Sequence, residues 1–113
     1  MTRGRIVLLP FPFDDFSAVK VRPAVCLTDP VGPHRHIVVA FITSQIPAEI
    51  LDSDFVLRVD HAEFPHTGLR VDSTFRLHRL MTLTSILIKR ELGELAPSLQ
   101  TEIFARLRQL FAI

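Results

Sequence analysis

Tryptophan and tyrosine are absent from this chain of 113 residues, and cysteine occurs once, at Cys26. A single cysteine excludes an internal disulfide and a cysteine-rich zinc site. No apolar run exceeds Ile37 to Ile42, far short of the roughly 20 residues that a membrane-spanning helix needs. Only four apolar residues, Ile6 to Leu9, precede Pro10, so the N-terminus lacks the core of a signal peptide. Net charge is scant too: 13 basic residues against 12 acidic ones leave +1. That is too little for an overall field drawing the protein onto nucleic acid or an anionic membrane. Any anion binding must come from a local cluster. Lysine is sparse, at Lys20 and Lys89 alone, and the other 11 basic residues are Arg. Arg suits bidentate phosphate contacts, although GC-rich coding also favours it. These absences lead us to expect a soluble, cytoplasmic protein.

What is present has a globular balance, with 48% apolar and 22% charged residues, and a length that fits one domain over residues 1–113. Ile6-Val7-Leu8-Leu9, closed by Pro10, reads as a short buried strand. Phe11 to Val21 reads as a long exposed connection. Pro23 to Thr28 is a second strand, with Pro23 acceptable only at its start. Asp29-Pro30-Val31-Gly32-Pro33 is turn chemistry, and the β-branched run His36 to Thr43 is a third strand. Phe55 to Val59 and Ser73 to Leu80 alternate with period two. In the latter, Phe75, Leu77 and Arg79 fall on one side, and Thr74, Arg76, His78 and Leu80 on the other. Phe64 to Leu69 reads as a loop, and Leu83 to Leu95 as a short helical turn followed by a strand.

From Pro97 the period changes. Leu99, Ile103, Leu107, Leu110 and Phe111 share one helical face, Glu102 and Arg106 form an i,i+4 pair, and Pro97 suits the first helical position. The expected fold is mainly β with α: a small, strongly bent antiparallel barrel with a C-terminal helix.

Several segments, in order, resemble the PemK/MazF family of toxin endoribonucleases from toxin–antitoxin pairs. Arg3-Gly4-Arg5-Ile6-Val7-Leu8-Leu9-Pro10-Phe11-Pro12-Phe13 is similar to the family's opening strand and Pro-Phe-Pro-Phe loop. Arg22-Pro23-Ala24-Val25, Ile42-Thr43-Ser44-Gln45 and Gly68-Leu69 followed by Ser73 come next. Arg76, Leu80 to Leu83, Leu92-Gly93-Glu94-Leu95 and the terminal helix complete the series, so the resemblance spans essentially the whole chain. It implies an SH3-like β-barrel of the CcdB/PemK type, usually a homodimer. It also implies a cognate antitoxin, with operator DNA reached only through that antitoxin. Three positions depart from the family pattern. Arg5 stands where an acidic residue is usual, Ser17 where a Glu is frequent, and Arg76-Leu77-His78 where Arg-x-Asp is common.

Metal-free RNA cleavage uses the substrate's own 2′-hydroxyl as nucleophile on the adjacent phosphate. The protein must accept that proton, stabilise the charged phosphorane and help the 5′-oxygen leave. No metal, cofactor or nucleophilic side chain is required. The resemblance places an active-site Arg at Arg22 and a phosphate-donating hydroxyl at Thr43, next to Ser44. Without it, Arg22 reads more readily as a surface ion-pair partner of Asp14 or Asp15, and Thr43-Ser44 as an ordinary turn at a strand end. Arg76 and His78, two apart, face the same way on a strand. In one branch of the family the matching pair is described as acid and base. Arg, with a pKa above about 12, is a poor proton donor, so Arg76 serves chiefly to stabilise charge. An imidazole titrating near about 6.5 can accept a proton, so His78 is the candidate base; the alternative is a partly exposed strand residue. Lys20, Ser17, Ser44, Gln45 and Ser73 complete the expected RNA contacts.

His34 and His36 could stack on bases or simply be solvated. His61 and His66 form no zinc pattern, Cys26 suits a small buried position, and the nine Phe suit a core. Two other functions remain open at this point. One is a CcdB-type gyrase poison, echoed by the ending Phe111-Ala112-Ile113; the other is a catalytically silent barrel that binds RNA or antitoxin. The partners expected are therefore single-stranded mRNA, an antitoxin with an acidic, largely disordered segment, and a second copy of the chain, without a membrane.

Overall fold

A computed structural model describes residues 2–11 and 20–113. Ser17, Phe13, Phe16, Asp14 and Asp15 lie outside the described residues. Within them are six strands and one α-helix: β1 (Arg5–Phe11), β2 (Lys20–Cys26), β3 (His36–Thr43), β4 (Asp54–Leu57), β5 (Ser73–Thr84), β6 (Arg90–Glu94) and α1 (Pro97–Phe111). The strands form one antiparallel sheet in the order β4-β5-β3-β2-β1-β6. It curls into a half-barrel with one C-terminal helix, in keeping with the expected bent antiparallel barrel and terminal helix.

Period-two alternation gives the sheet two apolar faces. Ile6, Val25, Ala40, Ile42, Phe75 and Leu77 pack with Leu99, Ile103 and Leu107 of α1. Val7, Leu9, Ala24, Cys26, Val39 and Phe41 form the second cluster. Each buried Leu or Ile contributes about 1.5–3 kcal/mol relative to an exposed one, so these stripes dominate the fold.

The helix stripe ends earlier than its periodicity suggests. Leu110 is 40% and Phe111 54% exposed; the last turn runs past the core, and Phe111 lies instead along an outer groove with Phe104. The expected Glu102–Arg106 pair forms at 3.2 Å. Arg106 also donates to the carbonyls of Asp52 and Asp54, at 3.0 Å each, tying α1 to the start of β4.

β2 begins three residues earlier than expected and holds Pro23 in its interior. A missing N–H is tolerated there because β2 meets β3 only from Ala24 to Cys26, while Pro23 faces Leu8 of β1. Likewise Pro10 lies beyond the reach of β6, which pairs with Arg5 to Leu8. β1 runs on to Phe11 and β2 begins at Lys20, so Phe11, Lys20 and Val21 are strand rather than connection; the rest of the expected connection lies outside the described residues. The loop after β4 contains a 3-10 turn at Phe64–Thr67, and Ser85–Leu87 is the expected helical turn before β6.

Glycine brings the two ends of the sheet together. A Cβ at Gly68, whose φ is +72°, would stand 2.1 Å from the Leu92 carbonyl oxygen, and one at Gly93 2.3 Å from that of His66. The turn after β4 therefore rests backbone to backbone on β6.

Candidate active site

Where β2 and β3 part company, a cavity opens. Their pairing stops at Ala24 and Phe41, so Arg22 on one strand and Ile42 to Gln45 on the other diverge around a space of about 230 Å³. Arg22, Thr43, Ser44, Gln45, Arg76 and Arg79 supply its polar lining, with Phe41 and Ile42 beside them. The Thr43 hydroxyl accepts the Gln45 backbone N–H at 3.2 Å, which leaves its own proton for a ligand.

Arg79 was expected on the opposite side of β5 from Arg76. The ladder shows why it is not. Ala40 pairs with Leu80 but its neighbour Phe41 pairs with Arg76, so Leu77, His78 and Arg79 are inserted as a bulge. Parity reverses within it: Phe75 and Leu77 pack on the α1 side, and so does Leu80, three residues beyond Leu77. Arg79 is thereby turned onto the side of Arg76. Three guanidinium groups from two strands converge on one small cavity.

Asp54, absent from the sequence reading, is the carboxylate beside them. It faces Arg76 as a register pair in the β4–β5 ladder. Its side chain is fully buried, and its Oδ1 lies 2.8 Å from Arg76 Nε. The same oxygen stands 3.9 Å from His78 Nδ1. Arg76 and His78 thus approach one carboxylate, as residues two apart should. His78 is not among the residues lining the cavity, and its side chain is 34% exposed.

A second cleft of about 300 Å³ shares Arg22, Ile42 and Ser44 with the first and continues past Leu69, Val71 and Leu92 to Arg70 and Arg90. Ser73 lies in this cleft, buried, with its hydroxyl donating to the Val71 carbonyl at 2.8 Å. Lys20 is exposed at the start of β2. Arg5 is bound to the sheet edge, 2.8 Å from Glu91 and 3.4 Å from Glu94 of β6. A larger groove of about 630 Å³ runs along α1 between Phe104, Phe111, Arg3 and Arg108. Its lining is mostly apolar, with two guanidiniums, Arg3 and Arg108, and the Thr101 hydroxyl. The smaller cavity gathers three guanidiniums with the Thr43 and Ser44 hydroxyls in a mostly polar lining, which makes it the candidate site.

His61 accepts the Glu63 N–H through Nδ1 at 3.0 Å, and His34, in the β2–β3 turn, and His36, at the start of β3, lie with ring centroids 5.9 Å apart and planes tilted by 33°. Among the described residues, no group of three or more His, Cys, Asp or Glu could hold a metal ion, and no helix is long and apolar enough to cross a membrane.

The family model of PemK-like, MazF-like toxins of type II toxin–antitoxin systems matches residues 2–111. The chain belongs to this family. No curated protein sequence matches it, whereas solved structures do. A mycobacterial endoribonuclease in complex with its cognate antitoxin superposes with a TM-score of 0.71 at 13% identity, covering 100% of this chain and 96% of that one. The Mycobacterium tuberculosis toxin MazF-mt6 gives 0.72 at 19% identity, over 96% and 97%. MazF from Deinococcus radiodurans gives 0.70 at 17% identity, over 100% and 97%. These likenesses establish the fold, and the family match disfavours the CcdB-type alternative. In this PemK/MazF toxin, Arg22, Thr43 and Ser44, among the residues that carry the resemblance, line the cavity. Its unusual Arg5 is matched by the acidic pair on β6.

Proposed function

We propose that this PemK/MazF toxin is a metal-independent, sequence-specific endoribonuclease that cleaves single-stranded mRNA. The observation that carries the reading is the convergence of Arg22, Arg76 and Arg79 with the Thr43 hydroxyl on one cavity. Net charge is only +1, so this concentration of cations is local, as phosphate binding requires.

The chemistry follows from that arrangement. The scissile phosphate enters the cavity with two of its oxygens on Arg22. His78 lies outside the cavity lining but shares the Asp54 carboxylate with Arg76, and from there it is the candidate to take the proton of the substrate 2′-hydroxyl, whose oxygen attacks the phosphorus. Charge that develops on the phosphorane is met by Arg22, Arg76, Arg79 and the Thr43 hydroxyl. The 5′-oxygen then departs and takes up a proton, leaving a 2′,3′-cyclic phosphate. Ser44 and Gln45 contact the RNA beside the scissile phosphate. Lys20 extends the track, with Arg70 and Arg90 of the second cleft meeting the next phosphates. Ser17 lies outside the described residues, and Ser73, buried with its hydroxyl on the Val71 carbonyl, supports the cleft wall rather than meeting RNA. We propose further that the toxin acts in the cytoplasm as a homodimer and is held by a cognate antitoxin whose acidic segment covers this cavity. A related mycobacterial endoribonuclease bound to its antitoxin supports that partnership.

The test is incubation of the purified protein with a long single-stranded RNA. Discrete fragments bearing 5′-hydroxyl ends are expected. Intact RNA, together with inhibition of DNA supercoiling, would replace the reading with gyrase poisoning. Intact RNA without that inhibition would leave a binding-only barrel.

A further inference from the structure

We propose that Asp54 is a positioning residue for Arg76: its buried carboxylate orients the guanidinium in the cavity. This rests on the reading of the cavity as an RNA-cleaving site. Burying an ionised carboxylate is costly unless a cation and hydrogen bonds offset it. The carboxylate of Asp54 is fully buried, and its charge is met by Arg76, 2.8 Å away. Both contacting atoms, Asp54 Oδ1 and Arg76 Nε, are buried and lack a hydrogen-bond partner, so the contact is a close ion pair rather than an aligned hydrogen bond.

Asp54 is itself firmly held. Oδ2 accepts the Leu51 N–H at 2.9 Å, and its carbonyl accepts Arg106 of α1 at 3.0 Å. The register pairing of Asp54 with Arg76 fixes the backbone between them. A guanidinium held through Nε presents the edge carrying both Nη atoms to two phosphate oxygens. The family's common Arg-x-Asp pattern would put a carboxylate two residues after the Arg; here that position is His78, and the carboxylate comes from the neighbouring strand.

The experiment compares wild type, Asp54→Asn, Arg76→Ala and the double variant. Single-turnover RNA cleavage is measured at saturating substrate, with binding measured on the same strand carrying a 2′-deoxy scissile nucleotide. The Asn amide oxygen can still accept the Leu51 N–H, so the fold is retained, as circular dichroism will report. Asp54→Asn is expected to slow cleavage about tenfold to hundredfold, the range that misplacement of a reacting group produces. RNA should bind it as tightly as wild type or more so, because Arg76 is no longer neutralised. The double variant should be no slower than Arg76→Ala alone. Wild-type cleavage by Asp54→Asn, or parallel loss of binding and rate, or multiplying effects in the double variant, would overturn the proposal. An NMR arm judges it without activity: rotation of the Arg76 guanidinium about its Nε–Cζ bond should be slow in wild type and fast in Asp54→Asn. Equal rotation in both would overturn it, whereas slow rotation in a wild type that leaves RNA intact would overturn the nuclease reading alone.

Discussion

Arg76 and Arg79 are three residues apart on β5 and yet line the same cavity. In a regular strand an odd spacing puts side chains on opposite faces; the bulge at Leu77, His78 and Arg79 reverses that. Arg79 therefore joins the cations expected to meet RNA. Arg79→Ala should slow cleavage at least about tenfold. Its RNA affinity should depend less on salt, with the log–log slope smaller by about 0.7, the value for one phosphate contact on a single strand. Binding titrations between low and moderate salt check this; an unchanged slope would remove Arg79 from the phosphate track.

Arg22 stands at the divergence of β2 and β3 and is the cation assigned to the attacked phosphate. Arg22→Ala should fold normally and lose on the order of a hundredfold or more in rate. Thr43→Ala removes a neutral donor and should cost less, roughly tenfold to a hundredfold. Single-turnover rates of the two variants decide the order, and a larger loss at Thr43 would reverse the two roles.

His78 bears on the origin of the proton acceptor. With Nδ1 turned towards Asp54, Nε2 is the nitrogen left to take the 2′-hydroxyl proton. The pH–rate profile should carry an inflection, and His78→Ala should lose both rate and inflection. His78→Asp restores the commoner family pattern and should keep substantial activity, with the inflection moved towards the carboxylate range. Wild-type cleavage by His78→Ala across pH 5 to 9 would leave the work to Arg22 and Thr43.

Cys26 gives a prediction about stability alone. Burial pushes its thiol up to about 11, with the charge of Glu91 adding to the shift. The unfolded chain ionises at its ordinary value, so above about pH 9 the unfolded state releases a proton that the native state retains. Stability should be full below that pH and fall as pH rises towards 11. Thermal melts of wild type and Cys26→Ala compare the two; Cys26→Ala should lack this part of the alkaline decline, and identical slopes would refute the assignment. The native thiol should also resist alkylation at neutral pH.

Much of this architecture was legible in the sequence because β-strand alternation and a helical stripe leave local traces. Ile6 to Leu9, His36 to Thr43 and Leu99-Ile103-Leu107 carry such traces, and each emerged as an element. Arg22 and Thr43 were legible through their neighbours, Pro23 and Ser44, which repeat the family's order. Pro23 misled at the start of β2 because tolerance of a missing N–H depends on which partner strand stops where, a property of the sheet. Asp54 and Arg79 were hidden for the same kind of reason. Asp54 reaches Arg76 only through the β4–β5 register, and Arg79 turns inward only because β3 imposes a bulge. Leu110 and Phe111 carry the helix period beyond the end of the core, where periodicity no longer reports burial.

The account's central claim is that the cavity between β2 and β3 directs the substrate's own 2′-hydroxyl at its phosphate. The most direct measurement offers the wild-type protein two otherwise identical RNA strands in excess EDTA, one with a single 2′-deoxy nucleotide at the scissile position. The account predicts cleavage of the all-ribose strand to a 2′,3′-cyclic phosphate and a 5′-hydroxyl, and an intact scissile bond in the other. Cleavage of the deoxy position, or activity lost in EDTA and restored by magnesium, would contradict it.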